Sequence, residues 1–235
     1  LFSFLMHSYV AGPASIWRGI LRLPPAHFLT FEPDTGKIAM SRYWDLDLGT
    51  RSWTEAAAVE TLEELLASAV RCRLISDVPV GVFLSGGIDS SCVTAYAAAA
   101  SPQIRTFCVG FENWPGNETE AARRTSALFG TTHHEDTVST GNFADLSRVF
   151  DVYDEPLGDT SIFPTYLVCG AARKHATVAL SGDGGDELFG GYERYRQTEQ
   201  CRLVKKLAFS LGPLFGGIGL GNLPLARRCD RYQHF

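Results

Sequence analysis

The sequence predicts an α/β protein built on a parallel sheet, and three observations support that class. Short apolar segments alternate with amphipathic or alanine-rich segments from about residue 52 to residue 190, the pattern of parallel strands joined by helices. Two of the apolar segments run directly into glycine-rich loops. The 235 residues are 45% hydrophobic, which is enough for a sizeable core.

Residues 1–50 differ from the rest of the chain. Proline and aromatic residues are frequent there, and residues 32–37 form a turn sequence between two β-prone segments at 28–31 and 38–43. We therefore predict the edge of a β-rich domain over residues 1–50 and a separate α/β domain over residues 51–235.

The elements of the second domain can be assigned in order. Ser52 and Glu55 fit a capping box, which predicts a helix with an apolar stripe from Val59 to Ala69. Asn117 and Gly130 fit the start and the stop of a later helix. The full prediction has strands at 78–84, 104–111, 133–138 and 177–181, and helices at 89–100, 117–129, 142–151 and 163–175, with helices on both faces of the sheet.

Composition narrows the range of partners. The net charge of −5 and the pI of about 5.7 give no general attraction to nucleic acid. The apolar stretch at 210–226 is interrupted by glycines and prolines and is shorter than the roughly 20 residues of a membrane helix, so we expect no membrane span. The six cysteines form no C-x-x-C pair, which favours a reducing compartment and therefore a cytoplasmic protein.

The first glycine loop, residues 85–90, is the most informative segment. The apolar strand ending at Leu84 is followed by serine, two glycines, isoleucine, aspartate and serine, and then by an alanine-rich helix. Backbone N–H groups at such a helix start form a site for phosphate. The lysine of the common P-loop is absent, so we expect N–H groups and hydroxyls to hold the anion and Asp89 to bind a cation.

The second glycine loop, residues 181–191, contains five glycines and three acids. Carboxylates of this kind bind Mg²⁺, which prefers oxygen ligands and substrate phosphates. We expect the two loops to face each other, with pyrophosphate on the first and Mg²⁺ held between Asp89 and Asp186. The alternative, a solvated turn whose acids cap a helix, is less consistent with two such loops in one chain.

These residues resemble a known family. The run from Ser85 to Ser90 resembles the S-G-G-x-D-S loop of the ATP pyrophosphatases, and residues 181–192 resemble the second signature of the glutamine-dependent asparagine synthetases. The resemblance covers about residues 52–200, and residues 1–50 resemble the end of that family's glutaminase domain. It implies a Rossmann-like parallel sheet of the adenine-nucleotide alpha-hydrolase (ATP-pyrophosphatase) type.

The resemblance also implies a reaction. The side-chain carboxylate of aspartate would attack the α-phosphorus of ATP to form β-aspartyl-AMP and pyrophosphate, and ammonia from glutamine would then displace AMP to give asparagine. The implied roles are pyrophosphate binding by Ser85, Gly86, Gly87, Asp89 and Ser90, adenosine binding by Leu84, Val109, Ser181 and Gly182, and Mg²⁺ binding by Asp89 and Asp186. Asp183 would assist formation of the intermediate or the ammonia step, and a homodimer is expected. Residues 154–161 resemble the aspartate-binding loop, although a turn with a helix cap explains the same residues.

Departures from the family pattern keep alternatives open. The glutaminase of the family needs an N-terminal cysteine nucleophile, whereas residue 1 is Leu1, and no lysine matches the one that follows the second loop in the family. We therefore expect a truncated chain that binds ATP with reduced or no turnover. A related carboxylate-adenylating amidotransferase, resembling β-lactam synthetase or enzymes that modify peptides or sugars, is the alternative enzyme, and an ATP-binding module without turnover is the third candidate. His133 and His134 are adjacent in a predicted strand, so they should face opposite sides and not share a metal ion.

Overall fold

The structure is a computed structural model that describes residues 1–138 and 146–198. The chain divides into two compact units, Leu1–Ser181 and Gly182–Phe235, and each is described by itself.

The N-terminal part of the first unit contains a short helix and a hairpin. Helix α1 spans Phe2–His7, and strands β1, His27–Glu32, and β2, Lys37–Arg42, pair antiparallel in a two-stranded sheet. Glu32 lies opposite Lys37, and Gly36 between them has a φ of 68°, a left-handed conformation that favours glycine. The hairpin expected around residues 32–37 is confirmed.

A four-stranded parallel sheet forms the centre of the first unit. Its strands are β3, Val80–Phe83; β4, Arg105–Phe111; β5, Thr132–Val138; and β6, Val178–Leu180. The spatial order is β5-β4-β3-β6, so the chain moves outward from β3 to β5 and then returns to the other side of β3. The predicted α/β class is confirmed, and the reversal of strand order lies between β3 and β6.

Helices cover both faces of this sheet. Alternate residues of a strand point to opposite faces, and apolar residues on each face pack against helices. Val82 packs with Ala97 and Ile104 beneath helix α3, whereas Phe107 packs with Ala172 and Ala176 on the opposite face. The helices are α2, Glu55–Arg73; α3, Ile88–Ala100; α4, Thr119–Phe129; α5, Leu146–Val152; α6, Ile162–Arg173; and α7, Gly185–Phe189 in the second unit. Within the described ranges, none of these helices combines the length and the apolar character that crossing a bilayer requires.

Two sequence-based predictions were wrong in detail. Helix α2 begins at Glu55, and its cap is Thr54, whose hydroxyl accepts the Ala57 N–H at 3.3 Å; Ser52 does not cap it. Half of Val59 is exposed, and Leu66 and Ala69 of the expected apolar stripe are only partly buried. The buried residue of this helix is Val70, which lies outside that stripe. Part of the helix expected at 142–151 lies outside the described residues, and α5 begins at Leu146.

Candidate functional site

The candidate site begins at the carboxyl edge of the parallel sheet. Leu180 of β6 lies opposite Val82 of β3; Ser181 directly follows β6, and Ser85 follows the neighbouring β3 after Leu84. This is also the place where the strand order reverses, and open α/β sheets bind ligands at the carboxyl ends of strands at such a switch point. The sequence-based placement of these two residues at one sheet edge is confirmed.

Gly86 fixes the shape of the first glycine loop. Its φ is 85°, and a Cβ added to it would lie 2.6 Å from the Ala121 Cβ and 2.7 Å from the Ala122 backbone nitrogen of α4. Backbone atoms of a packed helix cannot move aside, so only glycine fits here. The loop is therefore pressed against α4, with no room for a side chain at this residue.

Two serines close the loop by hydrogen bonds. The Ser90 hydroxyl accepts the Ser85 N–H at 3.3 Å, lies 3.0 Å from the Ser85 hydroxyl and donates to the Gly87 carbonyl at 3.2 Å. The Ser85 hydroxyl accepts the Gly87 N–H at 3.2 Å. Ser90 is buried, so these bonds hold the turn from inside.

The same turn leaves several backbone donors open. Within this turn, the backbone N–H groups of Gly86, Ile88, Asp89 and Ser90 have no hydrogen-bond partner among the described residues. They lie at the N-terminus of α3, where the helix dipole adds a partial positive charge. Unpartnered donors at a helix N-terminus form an anion site, and a phosphate group satisfies them.

The two hydrophobic residues predicted beside this loop occupy different environments. Leu84 is only 1% exposed and packs with Cys108 and Ala122, whereas Val109 is partly buried in β4. Val109 lies two residues before the end of β4 at Phe111, where the predicted strand also ends. Burial raises the pKa of the neighbouring Cys108 thiol to about 11, so this cysteine is part of the core.

The second glycine loop, from Gly182 onward, belongs to the second unit. Gly184 caps α7 with a φ of 93°, and Gly190 follows α7 with a φ of 69°, both in the left-handed region. The Gly185 N–H donates to the Gly182 carbonyl at 3.2 Å, and the Gly191 N–H donates to the Asp186 carbonyl at 3.1 Å. Glycines therefore set both ends of this short helix.

The acids of this loop differ in their surroundings. Glu187 accepts a hydrogen bond from the Tyr192 hydroxyl at 2.7 Å, which lowers the pKa of Glu187. The carboxylate of Asp186 lies against Gly191, because a Cβ added to that glycine would sit 1.9 Å from Asp186 Oδ1. No hydrogen bond or ion pair occupies the Asp186 side chain in the described residues, so it is available to a cation.

The segment at 154–161 leads into a helix, as one of its two sequence-based interpretations predicts. Asp159 accepts the Ser161 N–H at 2.8 Å just before α6, and this bond lowers the pKa of Asp159, as in a turn leading into a helix. The segment also borders a cavity of about 270 Å³. The cavity is lined by Phe150, Tyr153, Asp154, Glu155, Pro156, Leu157 and Ile162.

Sequence reasoning missed two contacts near these residues. Arg22 forms an ion pair with Glu155, and Tyr192 binds Glu187. Nothing in the local sequence indicated the first contact, because 133 residues separate its partners. For the contact between Tyr192 and Glu187, the local sequence contained one signal, a tyrosine five residues after an acid in a glycine-rich turn.

His133 and His134 face opposite sides of the sheet, as expected. Nδ1 of His133 lies 2.9 Å from the Thr106 hydroxyl, whereas the His134 ring stacks on His175 with 3.8 Å between ring centroids. Burial lowers the pKa of both histidines. Across residues 1–138 and 146–198, no three His, Cys, Asp or Glu side chains are grouped to hold a metal ion.

Comparison with known proteins gives the family. Residues 61–228 match the model of the asparagine synthase family. The chain is 35% identical over 209 residues to asparagine synthetase [glutamine-hydrolyzing] 1 of Bacillus subtilis, covering 88% of this chain and 33% of that protein. It is 38% identical over 202 residues to putative asparagine synthetase [glutamine-hydrolyzing] 2 of Methanocaldococcus jannaschii, covering 85% of this chain and 39% of that protein.

A similar solved structure is the glutamine-dependent NAD+ synthetase of Acinetobacter baumannii in complex with ADP, with a TM-score of 0.42 and 20% sequence identity. The similarity covers 70% of this chain and 31% of the synthetase chain. The chain spans between about a third and two fifths of the length of the two curated relatives. The match over residues 61–228 shows that the chain belongs to the asparagine synthase family.

Proposed function

We propose that this chain is the ATP-dependent part of an amide ligase that converts aspartate to asparagine. The observation that carries the proposal is the open row of backbone N–H groups between Gly86 and Ser90, at the switch point of a parallel sheet, in a chain of the asparagine synthase family. These donors fit a nucleotide phosphate. The relatives named above are asparagine synthetases, which points to the substrate pair.

The reaction has two steps. A side-chain carboxylate oxygen of aspartate attacks the α-phosphorus of ATP, the bond to the β-phosphate breaks, and pyrophosphate leaves. The nitrogen of ammonia, produced from glutamine, then attacks the acyl carbon of β-aspartyl-AMP, loses a proton, and displaces AMP. Reactions at phosphorus depend mainly on positioning and charge stabilisation, which N–H groups supply without a covalent enzyme intermediate.

The first glycine loop takes the pyrophosphate in this proposal. Ser85, Gly86, Gly87 and Ser90 shape the turn, and its open N–H groups contact the phosphate oxygens. Because the serine hydroxyls already hold the loop closed, little conformational entropy is lost when the nucleotide binds.

Mg²⁺ fits the acids that the loops present. Asp89 lies in the first turn of α3 and Asp186 in the first turn of α7, and neither carboxylate has a hydrogen bond or ion pair in the described part of the chain. Proteins bind Mg²⁺ through one or two carboxylates together with substrate phosphates, so a group of three protein ligands is not required. We assign Asp89 and Asp186 as its ligands; the ion, when bound, neutralises charge on the phosphates.

The remaining assignments concern adenosine, aspartate and the proton. Leu84, Val109, Ser181 and Gly182 line the adenosine site, the first of them through its backbone because its side chain is buried. Asp183 assists formation of the intermediate or accepts the proton lost by ammonia. Residues 154–161, with their cavity, bind aspartate. A cytoplasmic location and a homodimer complete the proposal and rest on the family.

Exchange of labelled pyrophosphate into ATP tests this function. Incubated with Mg²⁺, ATP and a panel of carboxylic acids, the chain should support exchange at a reduced rate, and this exchange should depend on aspartate and not on glutamate, succinate or β-amino acids. Exchange that depends on another carboxylate would favour the related amidotransferase. Saturable ATP binding without exchange for any acid would leave only the nucleotide-binding module.

A further inference from the structure

The N-terminal segment of the chain contacts the loop that borders the 270 Å³ cavity. Arg22 forms an ion pair with Glu155, which lines that cavity, and the Ser8 carbonyl accepts the Gly158 N–H at 2.7 Å. Both contacts lie within the first unit. They join residues that lie far apart in sequence, so they are made only in the folded chain.

Arg22 is itself held in place. A second nitrogen of its guanidinium donates to the Val10 carbonyl at 2.6 Å, and Val10 is buried. The side chain of Glu155 is 19% exposed, compared with 42% for Arg22, so solvent screens this pair less than a surface ion pair. A planar guanidinium fixed at one nitrogen presents the other in a defined direction.

Gly158 provides the second point of attachment. A Cβ added to it would lie 2.8 Å from the Ser8 Cβ and 3.3 Å from the Ser8 carbonyl oxygen. The two backbones therefore approach more closely than a side chain would allow. Glu155 and Gly158 flank Pro156 and Leu157, both of which line the cavity, so the two attachments hold the cavity wall at each end.

We infer that Arg22 is a positioning residue for the carboxylate-substrate cavity, which it acts on through Glu155. The inference rests on the proposed function, because it takes residues 154–161 as the aspartate site. It adds that the segment at 8–22 is part of what keeps this site in its binding conformation. The N-terminal region would thus act on the affinity for the amino acid, while the first glycine loop sets the affinity for the nucleotide.

Substrate affinities in the full chain test the inference. Arg22→Ala should weaken aspartate binding in the presence of Mg·ATP by about threefold to fivefold, and leave the ATP dissociation constant unchanged. Arg22→Lys should restore part of the loss, since it keeps the charge without the fork. The control is Arg18→Gln, an exposed arginine of the same segment without an ion pair in the described residues. Equal losses for aspartate and ATP, or none, would overturn the inference.

Amide hydrogen exchange separates this inference from the proposed function. In Arg22→Ala, and independently in Gly158→Ala, residues 154–161 should exchange faster than in the wild type, while residues 85–90 should not change. If the wild type binds no aspartate but residues 154–161 still exchange faster in both variants, the proposed function is wrong. In that case the contacts of Arg22 and Gly158 are still shown to stabilise this segment. Unchanged exchange at 154–161 in both variants would contradict the attachment.

Discussion

The two glycine-rich loops have similar compositions but different constraints. Gly86 of the first glycine loop is pressed against the backbone of α4, whereas a Cβ added to Gly184 of the second glycine loop would meet nothing within 4 Å. Both glycines have a positive φ. At Gly86 glycine is required by conformation and by space, and at Gly184 by conformation alone.

The hydrogen bonds of the two loops also show that the first glycine loop is the more restrained. The first glycine loop is closed by the buried Ser90, which leaves a row of N–H groups open. In the second, the exposed Tyr192–Glu187 bond occupies one acid and leaves the Asp186 carboxylate open. The comparison indicates that buried contacts hold the first loop with its N–H groups open, as the proposed anion site requires, and that the second loop presents its open carboxylate from a less restrained turn.

Matched alanine substitutions should show the largest difference. Gly86→Ala combines a left-handed backbone with a collision against α4, and should cost about 3 kcal/mol or more of unfolding free energy. Gly184→Ala adds only the conformational cost of about 1–2 kcal/mol. Urea unfolding of both variants measures the difference, and equal losses would contradict the comparison.

The second-largest difference between the loops is expected when a hydroxyl group is removed from each. Ser90→Ala removes a buried hydroxyl that makes three contacts, and should cost about 1–2 kcal/mol and weaken ATP binding. Tyr192→Phe removes an exposed hydroxyl and should leave stability nearly unchanged, while the pKa of Glu187 rises because its hydrogen bond is lost. Denaturant unfolding and NMR titration of Glu187 report these effects; a large stability loss in Tyr192→Phe would show that the second loop is as restrained as the first.

Gly191 offers a way to disturb the second loop without replacing an acid. Gly191→Ala should displace the Asp186 carboxylate, because the new Cβ would occupy its position. The Mg²⁺ concentration needed for half-maximal ATP binding should rise by about tenfold. Gly170→Ala in α6, where a Cβ meets nothing within 4 Å, is the control. An unchanged Mg²⁺ requirement would remove Asp186 from the proposed site.

Mild acid should destabilise the parallel sheet and leave the second glycine loop unchanged. Burial, with help from the nearby His175 and Arg105, lowers the pKa of His134, while Asp136 opposes the shift. As pH falls below about 6.5, the unfolded chain binds more protons than the native state, so native stability decreases.

Each kcal/mol lost should lower the thermal midpoint by about 2–4 °C. His134→Gln should weaken this pH dependence and His7→Gln, at an exposed residue, should not. Amide exchange should rise in β5 and α6 with acid, but not at 182–191, where the sequence has no histidine. Equal acid sensitivity in both regions would contradict the assignment to His134.

Much of the fold could be predicted because its signals are local. Apolar segments of strand length, the Gly130 stop with its φ of 66°, and the turn at 32–37 each depend on neighbouring residues. The position of both glycine-rich loops at the carboxyl ends of strands followed from the general behaviour of parallel sheets, whereas the pairing of β3 with β6 came only from the structure. These features do not require knowledge of which distant residues meet.

The features that could not be predicted depend on distant contacts. The Arg22–Glu155 pair, the collision that makes Gly86 irreplaceable and the stacking of His134 on His175 all join separate elements. The exposure of Val59 has the same origin, since periodicity identifies an apolar face but not whether another element covers it. Sequence therefore located the candidate loops but not the residues that support them.

Equilibrium titration of the full chain with Mg·ATP shows whether the first glycine loop binds the nucleotide. We expect saturable binding by the wild type, a loss of that binding in Gly86→Ala under conditions where the variant remains folded, and binding retained by Gly184→Ala. Absence of nucleotide binding by the folded wild type, or binding that does not respond to the change at Gly86, would contradict it.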